Sequence, residues 1–167
     1  MAVLFSALLA VQRSQAVEVG EGTRDALRLS GLDPAGVFLG KAGAVAVQLI
    51  VLELLLGVGV VVLYGVDVEG VGLLAVTALV ATAGLAAAGT LYGVIAAGLR
   101  VRETLLPLLL LPVLAPVLIG ATRASETAIS GVAVGVPAGS WLALLATFAL
   151  VYVGFGVIAF GPLLEDA

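Results

Sequence analysis

The chain has 167 residues, 62% of them apolar and 11% charged, with a formal net charge of −4, seven basic residues, no cysteine and no histidine. A soluble globular domain carries about 25% charged residues, so a mean hydropathy of +1.29 calls for lipid rather than water as the solvent. This composition excludes disulfides and thiolate metal sites, lacks the commonest metal ligand and general base, and offers no basic patch for nucleic acid.

The length leaves room for one membrane domain, residues 1–167. The opening "MAVLFSALLAVQ", 1–12, is apolar but short of the roughly 20 residues that span a bilayer. It lacks the basic start and small-residue cleavage site of a signal peptide. Its first basic residue, Arg13, follows the apolar run. The segment therefore reads as a partial transmembrane helix, the inner end of one that begins upstream.

Residues 13–41 have the grammar of a soluble segment. Thr23 can cap a short helix, "RDALRLS", with Asp25 in its first turn and Gly31 closing it in a left-handed conformation. Asp33 then serves as an N-cap with Pro34 at the first helical position, and the new helix runs through "AGVFLGK" into the membrane. The expectation is a short amphipathic helix over 18–31 followed by an elbow. Such a helix either lies among the headgroups or docks into another protein.

Four apolar runs are long enough to span: 42–64, 71–98, 104–121 and 141–161. The connecting segments order them. Residues 13–41 hold Arg13, Arg24, Arg28 and Lys41, the 65–70 turn holds Asp67 and Glu69, the 99–103 turn holds Arg100 and Arg102, and the 122–140 loop holds Arg123. Basic residues favour the cytoplasmic side, which places 13–41, 99–103 and the C-terminus inside. The expected fold class is all-α: a polytopic helical membrane protein with four full transmembrane helices, a partial N-terminal one and a cytoplasmic amphipathic helix.

Three features inside the spans call for explanation. Pro107, Pro112 and Pro116 share one span. Pro107 reads as a first-turn residue, whereas Pro112 and Pro116 lie four apart on one face of a helix interior. That pair is expected to give a kinked or partly unwound span, either static or a hinge. Glu53 lies mid-span, where a carboxylate is costly and marks a candidate functional site. It is either a protonated side chain, or hydrogen-bonded to a neighbouring helix through Thr77, Thr82 or Tyr92, or a polar point for coupling or for a substrate path. Gln48 is about 140° away around the helix and belongs to another face. Gly84, Gly89, Gly93 and Gly98, with alanines between, form a small-residue stripe suited to close helix packing.

Two stretches resemble the haem exporter permease of cytochrome c biogenesis, the B subunit (CcmB family) of an ABC-type complex. The first is "RSQAVEVGEGTRDALRLSGLDPAGVFLGK", with Arg13, Glu18, Glu21, Gly22, Asp25, Leu27, Leu29 and Lys41 matching. The second is "RVRETLLPLLLLPVLAPVLIGA", with Arg100, Pro107, Leu111, Pro112, Pro116 and Gly120 matching. "VLELLL" at 51–56 is also similar, and the resemblance runs through 1–161 in order. Family members usually carry proline where Gly31 stands, often a basic residue near Pro34, and begin about one and a half membrane helices earlier. The chain is therefore expected to be a fragment or the product of a late start.

The resemblance implies a permease subunit, not itself an enzyme, in haem export or delivery for cytochrome c maturation. It implies ATP consumption by a separate ABC ATPase, a haem-handling membrane subunit as a further partner, and a multi-pass place in the cell (plasma or inner) membrane. No G-x-x-x-x-G-K-[ST] motif occurs in the chain, so the ATPase would be another polypeptide. It would grip the 18–31 helix through Glu21, Gly22, Asp25, Leu27, Arg28 and Leu29. No cofactor is expected on this chain directly, and haem is the candidate cargo. With tyrosine alone left for axial ligation, at Tyr64, Tyr92 or Tyr152, ligation is expected on another subunit. The alternatives are a structural or assembly subunit without its own transport path, or the permease of another ABC exporter. A lipid-modifying membrane enzyme would need clustered polar groups at one membrane level, which the spans do not offer.

Overall fold

The computed structural model describes residues 6–10, 13, 31, 33–65, 69–97, 102–131 and 136–166, apart from the side chains of 97, 102–107 and 164–166. Four long helices dominate: α1 (Pro34–Tyr64), α2 (Val71–Ala97), α3 (Arg102–Ser130) and α4 (Ala138–Asp166). All four are long and apolar enough to cross a membrane. No strand occurs among the described residues. Leu63 at 80%, Ile158 at 79% and Leu150 at 73% exposure show how much bulky apolar surface faces outward. Water would not tolerate so much, but hydrocarbon is its natural solvent.

Local chemistry sets the ends of α1. Asp33 is extended at ψ 121°, and its Oδ2 accepts the Gly36 N–H at 3.2 Å. Pro34 follows at the first helical position, where its missing N–H deprives no one. At the far end Gly65 adopts φ 59° and donates its N–H to the Val61 carbonyl at 3.0 Å, a left-handed stop suited to glycine. Gly31 is also left-handed, at φ 65°. The helix it was expected to close lies outside the described residues.

The bundle is built around α2, which packs on α4, α3 and α1, while α1 and α3 flank the α2–α4 pair. The small-residue stretch of α2 makes this possible. Leu85 to Leu91 is buried without interruption, as are Gly84, Gly89 and Gly93. A Cβ on Gly84 would stand 2.9 Å from Phe148 Cδ1 and 3.4 Å from the Ala149 Cα, so α4 approaches to backbone distance there. The expected packing role of that stripe is seen at Gly84, and Gly89 and Gly93 are buried. One core cluster joins Ala7, Leu8 and Ala10 of the N-terminal segment to Val45 and Leu49 of α1, Leu85 and Ala88 of α2, and Leu110 and Leu114 of α3. A second gathers Phe38, Ala42, Ala87, Leu91, Val94 and Phe160.

Two expectations about α3 need correction. The first concerns the segment 122–140, read as a loop, which is helical as far as Ser130. "ATRASETAIS" loses hydropathy but keeps helix formers. The Arg123–Glu126 ion pair at 3.0 Å and i−4 hydroxyl bonds from Thr127 and Ser130 tie it locally. The Gly70 N–H reaches the Ala128 carbonyl at 2.8 Å, and Gly131, at φ 66°, closes the helix. The second concerns the prolines. The helix begins at Arg102, so Pro107 lies beyond its first turn, and it runs unbroken through Pro107, Pro112 and Pro116; no unwound stretch occurs. Leu110, Leu114 and Val117 carry the buried face, while Pro112 is exposed and Pro116 half-buried. The hydrogen bonds lost to these two rings therefore lie off the packed face.

Helix ends lie level in pairs. Gly161 sits beside Pro34, and Gly70 beside Ala128, so the α1 start and α4 end share one side and the α2 start and α3 end the other. At the first side Phe38 seats its ring against Gly156, where any Cβ would collide with it. The ring also stacks at a tilt on Phe160, centroids 5.4 Å apart, and the Lys41 ammonium lies 5.5 Å above the Phe160 ring. Gly156→Leu is expected to destabilise the bundle by about 1–3 kcal/mol through overpacking. Gly154→Leu, at an exposed position where a Cβ meets nothing within 4 Å, should be neutral. Thermal unfolding of the two variants in one detergent checks the contrast.

Candidate functional site

The buried residues of α1 are Phe38, Ala42, Val45 and Leu49, spaced four, three and four apart. This is one face of a helix. The next position on that face is Glu53. It stands where the buried run ends, since Leu54, Leu55, Val58 and Val60 beyond it are all exposed. Its side chain is half-buried and turned towards α2. There the Thr82 hydroxyl, 1% exposed, donates to Glu53 Oε1 at 2.8 Å. Of the three partners the sequence allows, Thr82 is the one used. Thr77 instead donates to the Leu73 carbonyl at 2.8 Å, and Tyr92 packs on Tyr152, centroids 6.4 Å apart.

The chemical content of this pair is narrow. Oε1 is occupied by a neutral hydroxyl donor, so the carboxyl group is anchored without an ion pair. A polar group held this way keeps a fixed rotamer and depth in the membrane, because any movement would strip it of a partner that hydrocarbon cannot replace. Thr82 lies one turn before the small-residue stretch of α2. The hydrogen bond therefore fixes α1 against the helix on which the bundle is assembled.

The other residues singled out by sequence distribute as follows. Pro112 and Pro116 lie on α3, the first exposed and the second half-buried. Pro107 contributes only its backbone to the described structure. Glu21, Gly22, Asp25, Leu27, Arg28 and Leu29 lie outside the described residues. Tyr92 and Tyr152 join Phe148, whose ring centroid is 4.5 Å from that of Tyr152, in an internal aromatic cluster. Tyr64, at 77% exposure, ends α1. No group of three or more His, Cys, Asp or Glu comes together among the described residues. Sequence reasoning did not single out the aromatic and cationic cluster of Phe38, Phe160 and Lys41. Its signal was available, since Phe38 and Lys41 are three apart on α1 and so share a face.

Four apolar helices, an outward-facing apolar surface and one internal carboxyl–hydroxyl bond define a multi-pass helical membrane protein. Its sequence places it further: the chain belongs to the CcmB protein family, whose family model matches residues 1–165. Membership makes it a membrane component of a haem-exporting ABC system for cytochrome c biogenesis, a permease-type subunit rather than an enzyme. No curated protein matches the chain.

Removing the Glu53 partner tests the anchor. Glu53→Gln keeps an acceptor for the Thr82 hydroxyl and is expected to leave stability nearly unchanged, whereas Glu53→Leu and Thr82→Val should each destabilise. A double-mutant cycle of Glu53→Leu with Thr82→Val, read by thermal unfolding in detergent, should return a coupling of about 1 kcal/mol.

Proposed function

We propose that the chain is the transmembrane subunit through which a separate ABC ATPase drives haem export or delivery for cytochrome c maturation. The family match over 1–165 carries this reading. A permease without a nucleotide motif must receive mechanical work through a contact on its cytoplasmic side. Residues 18–31 are the best segment for that contact, with Leu27 and Leu29 entering a groove on the ATPase and Asp25 and Arg28 at its rim. Glu21 and Gly22 precede them in the same segment. The capped start of α1 supports the assignment: Asp33 and Pro34 join the segment to a rigid helix with two residues between Gly31 and the first helical turn. A push at 18–31 would thus be delivered along α1 to the level of Glu53.

A second reading keeps the chain as a structural or assembly subunit without its own path. The interior favours it in one respect. The polar residues in the buried core of the described structure are Thr77, Thr82 and Thr90, each hydrogen-bonded to Leu73, Glu53 or Ala86. None is left over for the carboxylates of a porphyrin. On this reading haem is ligated by a haem-handling partner subunit, and the chain transmits ATPase work to it. Both readings place the protein in the cell membrane with 18–31 in the cytoplasm.

Two experiments test these proposals. Leu27→Asp with Leu29→Asp is expected to abolish co-purification of the ATPase and mature cytochrome c yield together, since buried interface leucines contribute on the order of 1.5–3 kcal/mol each. A segment resting on headgroups would instead lose membrane stability and retain its partner. The absence of native cysteine makes orientation directly readable. A cysteine at Asp67 or Thr127 should react with an impermeant thiol reagent in intact cells, and one at Arg100 only after permeabilisation.

A further inference from the structure

Glu53 is the one charged residue within the spans. No other Asp, Glu, Lys or Arg occurs in 42–66, and none occurs in 1–12, 70–99, 104–122 or 127–164. The elements packed against α1 are α2, α4 and the N-terminal segment. Their titratable residues are Tyr92 of α2, Tyr152 of α4, and Glu165 and Asp166 in the last turn of α4, so they bring no cation to Glu53. On α1 itself Lys41 lies twelve residues earlier, about 18 Å along the helix axis, and Tyr64 ends the helix. The charged residues of α3 are Arg102, Glu103, Arg123 and Glu126, all towards its ends.

The hydrogen bonding at Glu53 is also unlike that of its surroundings. Thr77, Thr90 and Thr147 each donate to the carbonyl four residues back, those of Leu73, Ala86 and Ala143. Thr82 instead turns its hydroxyl across to Glu53 Oε1 at 2.8 Å. The Ala78 carbonyl, four residues back in the same helix, stands in the position that the other threonines use.

We infer that Glu53 is a proton-binding site, seated on α2 as the neutral acid and released from it as the carboxylate. A carboxylate without a counter-ion is the costliest state such a group can take in hydrocarbon. A bound metal ion is a poor neutraliser here, because hard cations ask for six or more oxygen ligands. Glu53 and Thr82 supply too few, and no cluster of metal-ligating residues forms among the described residues. A proton needs no further ligand. Oε1, accepting from Thr82, serves as the carbonyl oxygen of the acid, and the proton sits on Oε2. The site is half-buried where the packed part of α1 ends, beside Leu54 at 64% and Leu55 at 68% exposure, so the acid is open to the lipid side. When the proton leaves, Thr82 can turn back to the Ala78 carbonyl. The α1–α2 bond therefore opens without stranding the hydroxyl, and proton occupancy controls that contact. This holds whether the chain carries cargo itself or transmits work to a partner.

Carbodiimide labelling of the full chain in native membranes, with its partners present, tests the inference. Dicyclohexylcarbodiimide enters lipid and reacts with the acid form. The carboxyl oxygen bonds to the central carbon, the proton passes to a nitrogen, and acyl migration leaves a stable N-acylurea with no leaving group. Peptide mass analysis is expected to find the label on Glu53 at neutral pH. As the acid titrates, labelling should fall about tenfold for each further pH unit. A membrane-impermeant, charged carbodiimide should label Glu69 or Glu126 before Glu53. Independently of reagent access, the infrared carboxylic-acid C=O band should be present in the wild type and lost in Glu53→Gln. An unlabelled Glu53, labelling that does not change with pH, equal labelling by the charged reagent, or a carboxylic-acid band unchanged in Glu53→Gln would each overturn it.

Discussion

Helices in hydrocarbon gain little from burying apolar side chains, because lipid tails solvate leucine as well as protein does. What holds such a bundle together is close contact and the few hydrogen bonds that lipid cannot replace. Here that constraint falls on one stretch of α2. Gly84, Ala86, Ala87, Ala88, Gly89 and Gly93 are small enough for neighbouring helices to approach, and Phe148 and Ala149 of α4 come to backbone distance at Gly84. The Thr82 to Glu53 hydrogen bond, which joins α1 to α2, lies two residues before Gly84 at the edge of the same stretch. Contact and polarity are thus concentrated on one helix, and the outer ones are free to present bulky residues to lipid.

Much of this was legible in the sequence, for physical reasons that can be named. Runs of apolar residues set the four spans, and Asp33–Pro34 marked the start of α1 because an acceptor followed by a ring with fixed φ fits only a helix N-terminus. The reach of α3 to Ser130 was not legible. Hydropathy falls after Ala121, yet hydropathy reports the solvent of a helix and not its length. Of the closing events, Gly131 in the left-handed region is local, but the Gly70 N–H on the Ala128 carbonyl comes from a turn 58 residues away in sequence (128 − 70). The prolines of α3 leave the helix continuous for a related reason. Their spacing fixes which face they share, but only packing decides that this face points away from the core. At Glu53 the sequence offered three hydroxyls and the fold chose among them. Two chose otherwise: Thr77 bonds its own helix, and Tyr92 packs on the ring of Tyr152.

The distribution of polarity also bears on transport. A path for a dicarboxylate such as haem needs polar groups that are held in place but free to change partners. The buried threonines of α2 are committed, two of them to carbonyls of their own helix. Glu53 is different. It lies at the edge of the packed part of α1, with one oxygen bonded and the outer half of the helix uncovered beyond it. Any rearrangement that moved α1 relative to α2 would act first on this bond.

α1 is the element best placed to link the two ends of such a rearrangement. Asp33 caps its start, and Phe38 locks its first turns against Gly156 and Phe160 of α4. Its fully buried stripe stops at Leu49, and half-buried Glu53, one turn on, is tied to α2 by a hydrogen bond. A helix held firmly at its base and by one exchangeable bond at mid-height pivots about its base. Sliding the whole helix would break the packing of Phe38, Ala42, Val45 and Leu49 together, whereas tilting its outer half would leave that packing in place and load the Thr82–Glu53 bond. The cheaper motion is therefore a tilt of the upper part of α1, with Glu53 at the point where rigid packing gives way.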